Sequence, residues 1–375
     1  MDRFYFDHNA TTPVSAEVLE VYLPVLLEVY GNASSIHHHG QIAKQKLETA
    51  RRQTAQLLGC TTKELVFLSG GTEANNLAIF GTRPRHVVTT RIEHPAVLNP
   101  CAQLEREGAA VTYVPVGSSG VVDPDAVLRA IRPETGLISV MHVNNEIGTI
   151  QPVAEIAAIA RAAGILMHSD GVQAAGRIPV NVNELGVDLY SISAHKMNAP
   201  KGIGALYIRR GTPLAPMLYG GRHEQQRRAG TENVAGAVAL GAACSTVHWA
   251  DGALRDRLQQ GVLDRIPDVT VNGDRGFRSP NTTNLCFDGI EGESLVIALD
   301  LKGFAVSTGS ACSSGAVEPS HVLTAIGLSA QKAKSSLRFS LGRSNTAEQV
   351  DRLIEAICTS VAHLRRLSPA CVSNV

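Results

Sequence analysis

No C-x-x-C pair occurs among the seven cysteines, Cys60, Cys101, Cys244, Cys286, Cys312, Cys358 and Cys371. The odd count argues against a disulfide framework, and the missing pairs argue against a structural zinc site. A reducing cytoplasm is the expected compartment. An excess of charge of one sign is also missing: Lys+Arg and Asp+Glu number 34 each. No overall field then draws the chain to nucleic acid or to an anionic membrane, so neither is an expected partner, and a small molecule is. The longest uncharged run, VAGAVALGAACSTVHWA at 234–250, falls short of the ~20 apolar residues a membrane span needs. Its Ala and Gly content predicts a buried helix instead. The amino end, MDRFYFDHNATTP, has no apolar signal core. Neither a G-K-[ST] phosphate loop nor H-E-x-x-H is found. The HHH cluster at 37–39 has no neighbouring carboxylate, so no metal is expected.

What is present is a long chain with a large apolar content. At 375 residues and 44% hydrophobic it can bury a sizeable core, and one large domain plus a smaller one is expected. Apolar runs alternate with helical patterns: ELVFLS, then NNLAIFG, then HVVTTRIE, then AVLNPCAQLERE. GLISVMHV, ILMHSD, VDLYSISA and GALYIRR continue the series, which is the βαβ pattern of a mainly parallel sheet. Asp123-Pro124 opens DPDAVLRAI with an N-cap and a first-turn proline. Beyond about residue 250 the pattern loosens into VTVNG, TNLCF, a Gly/Ser-rich segment, SLRFSLG and a final amphipathic helix over about 346–366. This predicts an α+β unit. No internal repeat is found.

Several polar groups fall just after these apolar runs. In SGGTEANN, 69–76, two glycines turn the chain into a helix at or just after Thr72; the free amides there suit a phosphate, and a plain tight turn is the alternative. HSDGVQAAG, 168–176, puts Asp170 at a strand end with Gln173 three residues on, and Asp170 also reads as an ordinary helix N-cap. RIEHP ends a strand with His94, either a hydrogen-bonded structural histidine or a catalytic one. SISAHKMNAPKGIG, 191–204, offers Ser193, His195 and two lysines, Lys196 and Lys201. A phosphate cradle, a carboxylate for a ring nitrogen, donors for a ring oxygen and a lysine for an aldehyde are the parts a pyridoxal phosphate enzyme needs.

Taken in order, FDHNATTP, GNASSIHHHG, SGGTEANN, RIEHPAVL, VNNEIGT, HSDGVQAAG, SAHK, RRAGTEN, STGSACSSG and RFSLGR resemble the class I cysteine desulfurases over nearly the full chain. These are the NifS/IscS group of fold type I pyridoxal phosphate enzymes, within the class V aminotransferase superfamily. The resemblance implies an α/β fold with a large mainly parallel-sheet domain at 15–250 binding the cofactor. A smaller α+β domain from 1–14 and 251–375 would carry the catalytic cysteine loop.

The resemblance also implies roles. Lys196 bonds the cofactor aldehyde and Lys201 is a loop residue. Gly71, Thr72, Ser193 and His195 hold the phosphate, and Thr231 reaches the phosphate of the neighbouring subunit's cofactor, which implies a homodimer; a polar turn residue is the alternative. Asp170 pairs with the pyridinium nitrogen, Gln173 and Asn145 bond the phenolic oxygen, and His94 stacks on the ring and moves protons. Arg338 binds the substrate carboxylate, with Arg343 as the structural alternative. Cys312, set among small residues in a loop, becomes thiolate, attacks the sulfur of L-cysteine and carries the persulfide, while L-alanine leaves. A sulfur-acceptor protein such as an iron–sulfur scaffold is the implied partner. A selenocysteine lyase or another class V enzyme would keep Lys196 and Asp170 without needing Cys312, and a sulfur-relay scaffold would need Cys312 without a cofactor. Three positions depart from the family pattern: His8 stands where Asn or Ala is common, Gly171 where Ala is usual, and Met197-Asn198 follow the lysine. The short tail SPACVSNV leads us to expect no scaffold-docking extension.

Overall fold

The computed structural model describes residues 2–248, 251–309 and 318–367. Among the described residues twelve strands are formed: β1 Phe4–Tyr5, β2 Leu65–Leu68, β3 His86–Thr90, β4 Ala110–Val114, β5 Thr135–Ser139, β6 Leu166–Asp170, β7 Leu189–Ser193, β8 Gly204–Ile208, β9 Val269–Val271, β10 Thr282–Phe287, β11 Phe304–Ala305 and β12 Ser336–Ser340. Seven of them make one sheet in the order β2-β8-β7-β6-β5-β3-β4. Only β8 runs against the others, pairing antiparallel with both β2 and β7. In β2, β3, β7 and β8 every residue is buried, as expected for a sheet covered by helices on both faces. The sheet is therefore mainly parallel, as the alternating pattern predicts.

The helices start and stop where the side chains dictate. Asp123 caps Pro124–Ala130 by accepting from the Asp125 amide, and Gly59, in the left-handed region at φ 71°, closes His38–Leu58. His37, first of the HHH cluster, caps that helix through Nδ1. The uncharged run forms the buried helix Val234–Ser245. Among the described residues no helix is long and apolar enough to cross a membrane.

A second apolar cluster is separate from the main one. It joins Phe6, Leu285, Phe287, Leu337 and Phe339 to Val350, Leu353, Ile357 and Val361. The last four come from the helix Ala347–Leu367, spaced three and four apart on one stripe. Here β10 pairs with β9 and β12, and β1 with β11. Asp7 bridges Ser340, and the Arg338 amide donates to Ser307 O at 2.7 Å. The amino end in turn meets the turn after β7, where the Thr12 amide donates to His195 O at 2.9 Å, so it and β12 stand at one end of the large sheet's strands.

Two departures from the family pattern are matched by their neighbours. A Cβ built on Gly171 would lie 2.0 Å from Tyr190 Cζ, and one on Gly342 would lie 2.2 Å from the His8 ring. Large rings occupy the space that a methyl would need.

Candidate active site

The parallel strands deliver their polar residues to one end of the sheet, the position open α/β sheets give to ligands. A cavity of about 760 Å³ opens there. Gly71, Thr72, His94, Asn145, Asp170, Gln173, Ser193, His195, Lys196 and Arg338 all line it. Thr231 is exposed and is not among its lining residues. Cys312 lies outside the described residues, although Ser307, Thr308 and Gly309, just ahead of it in the chain, line the cavity. Lys201 is exposed, and Arg343 pairs with Glu17 at 2.6 Å away from the cavity.

Lys196 ends the single 3-10 turn Ala194–Lys196 that follows β7. Its Nζ donates to Asn9 O at 2.5 Å and Ala10 O at 2.7 Å. Burial, then the Arg177 and Arg338 cations, pushes its pKa down to about 7, against the pull of Asp7 and Asp170. An amine half neutral at pH 7 can both bond an aldehyde and take a proton. His195 is brought down to about 4, first by burial and then by Lys196, Lys201 and Arg177, so its ring is neutral. Its Nδ1 lies 3.1 Å from Thr11 Oγ1.

Asp170 closes β6 and is buried. Oδ1 accepts from the Val172 amide at 3.0 Å and Oδ2 from Asn75 Nδ2 at 2.6 Å. His94 is the N-cap of Pro95–Arg106, its Nδ1 accepting from the Ala96 amide at 3.0 Å, so a neutral ring carries its proton on Nε2. Burial lowers its pKa, with Lys196 and His321 adding to the effect and Asp170 opposing it. Both polar ends of Gln173 are held by the chain: Nε2 donates to Asn9 O at 2.9 Å and Oε1 accepts from Arg177. Arg338 is 3% exposed; Nη2 meets Asp7 Oδ1 at 2.6 Å, Nη1 donates to Asn145 O at 3.0 Å, and Nε has no partner among the described residues.

The sequence profile of Aminotransferase class-V matches residues 4–353. The chain belongs to this family. A cysteine desulfurase IscS of Dictyoglomus turgidum is 48% identical over 378 aligned residues, covering 97% of this chain and 96% of that protein. A solved NifS-like protein superposes with a TM-score of 0.90 at 36% identity, covering 96% of this chain and all of that one. A solved SspA in complex with cysteine gives 0.83 at 35% identity, covering 90% and 98%.

Class V aminotransferases work with pyridoxal phosphate, and the donor set fits that group. The first intrahelical bond of Gly71–Gly81 runs from the Ala74 amide to Gly70 O, which leaves the amides ahead of it without a helical acceptor. A Cβ on Gly71 would lie 2.7 Å from Val172 Cγ2, so glycine lets this backbone turn come close to Val172 in the loop after Asp170, while Ser193 Cβ, at 3.5 Å, would be an ordinary contact. Thr72, Ser193 and His195 add side-chain donors, and Asp170 and Lys196 line the same cavity with a carboxylate and an amine.

Four residues of the cavity and its wall were given no role from sequence: Asp7, Asn9, Asn75 and Arg177. Asp7 and Asn9 sit inside FDHNATTP, which was recognised as a motif without a task. Asn75 follows Thr72 by nearly one helical turn, a spacing that puts both on one face. Arg177, one residue past HSDGVQAAG, had no signal of its own. Of the cysteines other than Cys312, Cys101, Cys244, Cys286 and Cys358 are in regular elements. Cys60 is not: it lies just past the Gly59 cap, where the left-handed turn has already ended the helix. Cys371 is outside the described residues. Among the described residues, no group of His, Cys, Asp or Glu is arranged to hold a metal.

Proposed function

We propose that this chain is a cysteine desulfurase that moves the sulfur of L-cysteine onto Cys312 and releases L-alanine. The observation that carries the reading is the approach of the chain at 307–309 to the cavity that holds Lys196 and Arg338, directly ahead of Cys312. When bound, pyridoxal phosphate supplies an aldehyde for the substrate amine and a cationic ring that accepts electrons from Cα.

The residues act around that chemistry. Gly71, Thr72, Ser193 and His195 hold the phosphate, joined by Thr231 of the second subunit in a homodimer. Asp170, fixed by Asn75 and the Val172 amide, keeps a proton on the ring nitrogen. Asn145 and Gln173 orient the ring oxygen, and neutral His94 covers a ring face with Nε2–H free to pass a proton. Arg338 takes the substrate carboxylate with its planar fork, giving up part of its hold on Asp7. Lys196, a neutral amine at its lowered pKa, would take the Cα proton. The Cys312 thiolate attacks the substrate sulfur; an S–S bond forms as the C–S bond breaks, and Cβ gains a proton to give alanine. Cysteine plus a thiol yields alanine plus a persulfide, with no outside oxidant or reductant.

The two largest apolar clusters, one built from residues between Val18 and Cys244 and one from Phe6 and residues between Leu258 and Val361, support a division into a large domain at 15–250 and a small one at 1–14 and 251–375, with a smaller cluster packing Ile92, Met141 and Ile147 against Val322, Leu323 and Ile326 across the two. The homodimer is supported by exposed apolar side chains gathered near the first helix, Leu26, Leu27, Tyr30 and Ile36 among them. The persulfide is passed to a sulfur-acceptor protein, such as an iron–sulfur scaffold, in the cytoplasm. The reading is tested with Cys312→Ser. This variant should bind the cofactor and still change its spectrum on adding cysteine, yet release neither alanine nor sulfide, and mass spectrometry of the wild type should find the added sulfur on Cys312. Substantial desulfuration by the variant would remove Cys312 from the mechanism and favour a lyase.

A further inference from the structure

From Arg209 to Asn233 the chain forms neither a strand nor an α-helix, and Glu224 is the one residue of that stretch that is buried. The rest is an arm on the surface, carrying exposed Leu218 and Tyr219 and, near its end, the exposed Thr231. Long irregular segments in compact domains are commonly functional. Near its start Leu214 packs against an apolar cluster and the Ala215 amide donates to Gly81 O at 2.8 Å; the anchor closer to Thr231 is a buried carboxylate.

Glu224 Oε1 lies 2.6 Å from Arg51 Nη2, and Oε2 lies 2.9 Å from Arg51 Nη1 and 2.8 Å from the Phe67 amide of β2. Arg51 itself donates to Leu65 O at 3.0 Å and stacks 4.7 Å over the Phe67 ring. The two side chains are 7% and 3% exposed, so the pair is shielded from solvent. An apolar anchor tolerates sliding and rotation, whereas a two-point fork fixes both position and direction. The backbone shows the result: Glu224, Gln225 and Gln226 have φ of 45°, 56° and 66°. A left-handed turn of three side-chain-bearing residues is disfavoured for L-amino acids and persists where the surroundings over-determine it. Farther along, Arg228 Nε donates to Glu73 Oε1 at 3.0 Å in the first turn of Gly71–Gly81. The arm thus passes its own phosphate turn, while Thr231 stays outside its own cavity.

We infer that the Arg51–Glu224 pair sets the direction of this arm so that Thr231 meets the cofactor phosphate of the second subunit. Glu224 is then a positioning residue for a site in the other chain. The inference rests on the reading of Thr231 given above.

Mixed dimers test it. Glu224→Gln keeps the side chain's shape and drops its charge; the homodimer's cofactor Kd should rise about tenfold or more, and Thr231→Ala should act by the same order, as loss of a bond to a charged group does. A heterodimer of a Lys196→Ala chain with a Glu224→Gln chain, co-expressed with two tags, has one lysine able to bond the aldehyde. That site is served by the unaltered arm of the Lys196→Ala chain. Action across the interface predicts that its affinity, read from the absorbance of lysine-bound cofactor, returns to the wild-type value, as it should for Lys196→Ala with Thr231→Ala. If only the Thr231→Ala pairing recovers, Glu224 works within its own chain, through Arg228 and Glu73, and the inference is overturned while the Thr231 reading stands. Unchanged affinity in the Glu224→Gln homodimer overturns it as well. Unchanged affinity in the Thr231→Ala homodimer removes the shared site itself. Should Glu224→Gln fail to give a soluble dimer, Arg51→Met with Glu224→Met replaces it in every arm, because it leaves no buried charge unpaired.

Discussion

Arg338 and Asp7 meet at 2.6 Å, the guanidinium almost wholly buried. A carboxylate of the chain itself occupies the partner's place that the proposed mechanism gives to the substrate carboxylate. Arg338→Ala should raise the KM for cysteine about 10- to 100-fold, the loss expected for a charged hydrogen bond, with the bound-cofactor spectrum unchanged. Asp7→Asn should lower that KM, because Arg338 loses its internal competitor. A higher KM in Asp7→Asn would show that Asp7 aims Arg338 rather than competing for it.

Lys196 should be recognisable by its titration in the cofactor-free protein. Burial and two neighbouring guanidinium groups destabilise the ammonium form, bringing the pKa to about 7. The rate of cofactor capture should therefore rise to about pH 7 and flatten above it, where an ordinary lysine would keep gaining until about pH 10. Lys196→Ala should abolish the borohydride-trapped adduct and Lys201→Ala should not; peptide mapping that found the adduct on Lys201 would reverse the assignment.

Asp170 holds its geometry through Asn75 and a backbone amide, so its effect on the ring nitrogen can be separated from its effect on binding. Asp170→Asn should keep the cofactor through the phosphate cradle while alanine formation falls by several orders of magnitude, since a neutral ring is a poorer electron acceptor. Asn75→Ala should give a smaller loss in the same direction. Single-turnover alanine release measures both, and near-normal turnover in Asp170→Asn would end its assigned role.

Glu93, next to His94, is fully buried, and that burial pushes its carboxyl pKa up to about 8 despite bonds from Thr90 Oγ1 and the Met141 amide. A carboxyl raised in the folded state contributes stability that is present below its unfolded value of about 4.3 and is lost as pH rises through 8. Glu93→Gln removes the titration. The variant should gain on the wild type from pH 5 to pH 9 in urea-midpoint measurements, and parallel curves would show that Glu93 is ionised in the fold.

The fold was legible because its carriers are regular. Apolar runs such as HVVTT and VDLYSIS have one reading when helical patterns separate them, and Asp123-Pro124 marks a helix start by local chemistry alone. The residues of the cavity that follow strands, Thr72, His94, Asp170, Ser193 and Lys196, were legible for the same reason: a strand end fixes where a side chain goes. Asp7, Asn9 and Arg177 were not, because they act by meeting residues far along the chain. The 2.6 Å contact of Asp7 with Arg338 joins β12 to the amino end, and no spacing in either segment announces it. Reversal of β8 was hidden too, since a buried strand reads the same in either direction.

Gly171 with Tyr190, and His8 with Gly342, are exchanges of volume across a shared wall. A methyl at 171 alone would enter the Tyr190 ring, and overpacking of this kind costs about 1–3 kcal/mol. The two positions of each pair therefore form one unit of variation. A lineage can reach Ala at 171 at low cost only by a route that first gives up the ring at 190, so relatives carrying Ala there should carry a smaller side chain opposite. The glycine beside Asp170 is in this sense dictated by the ring that faces it.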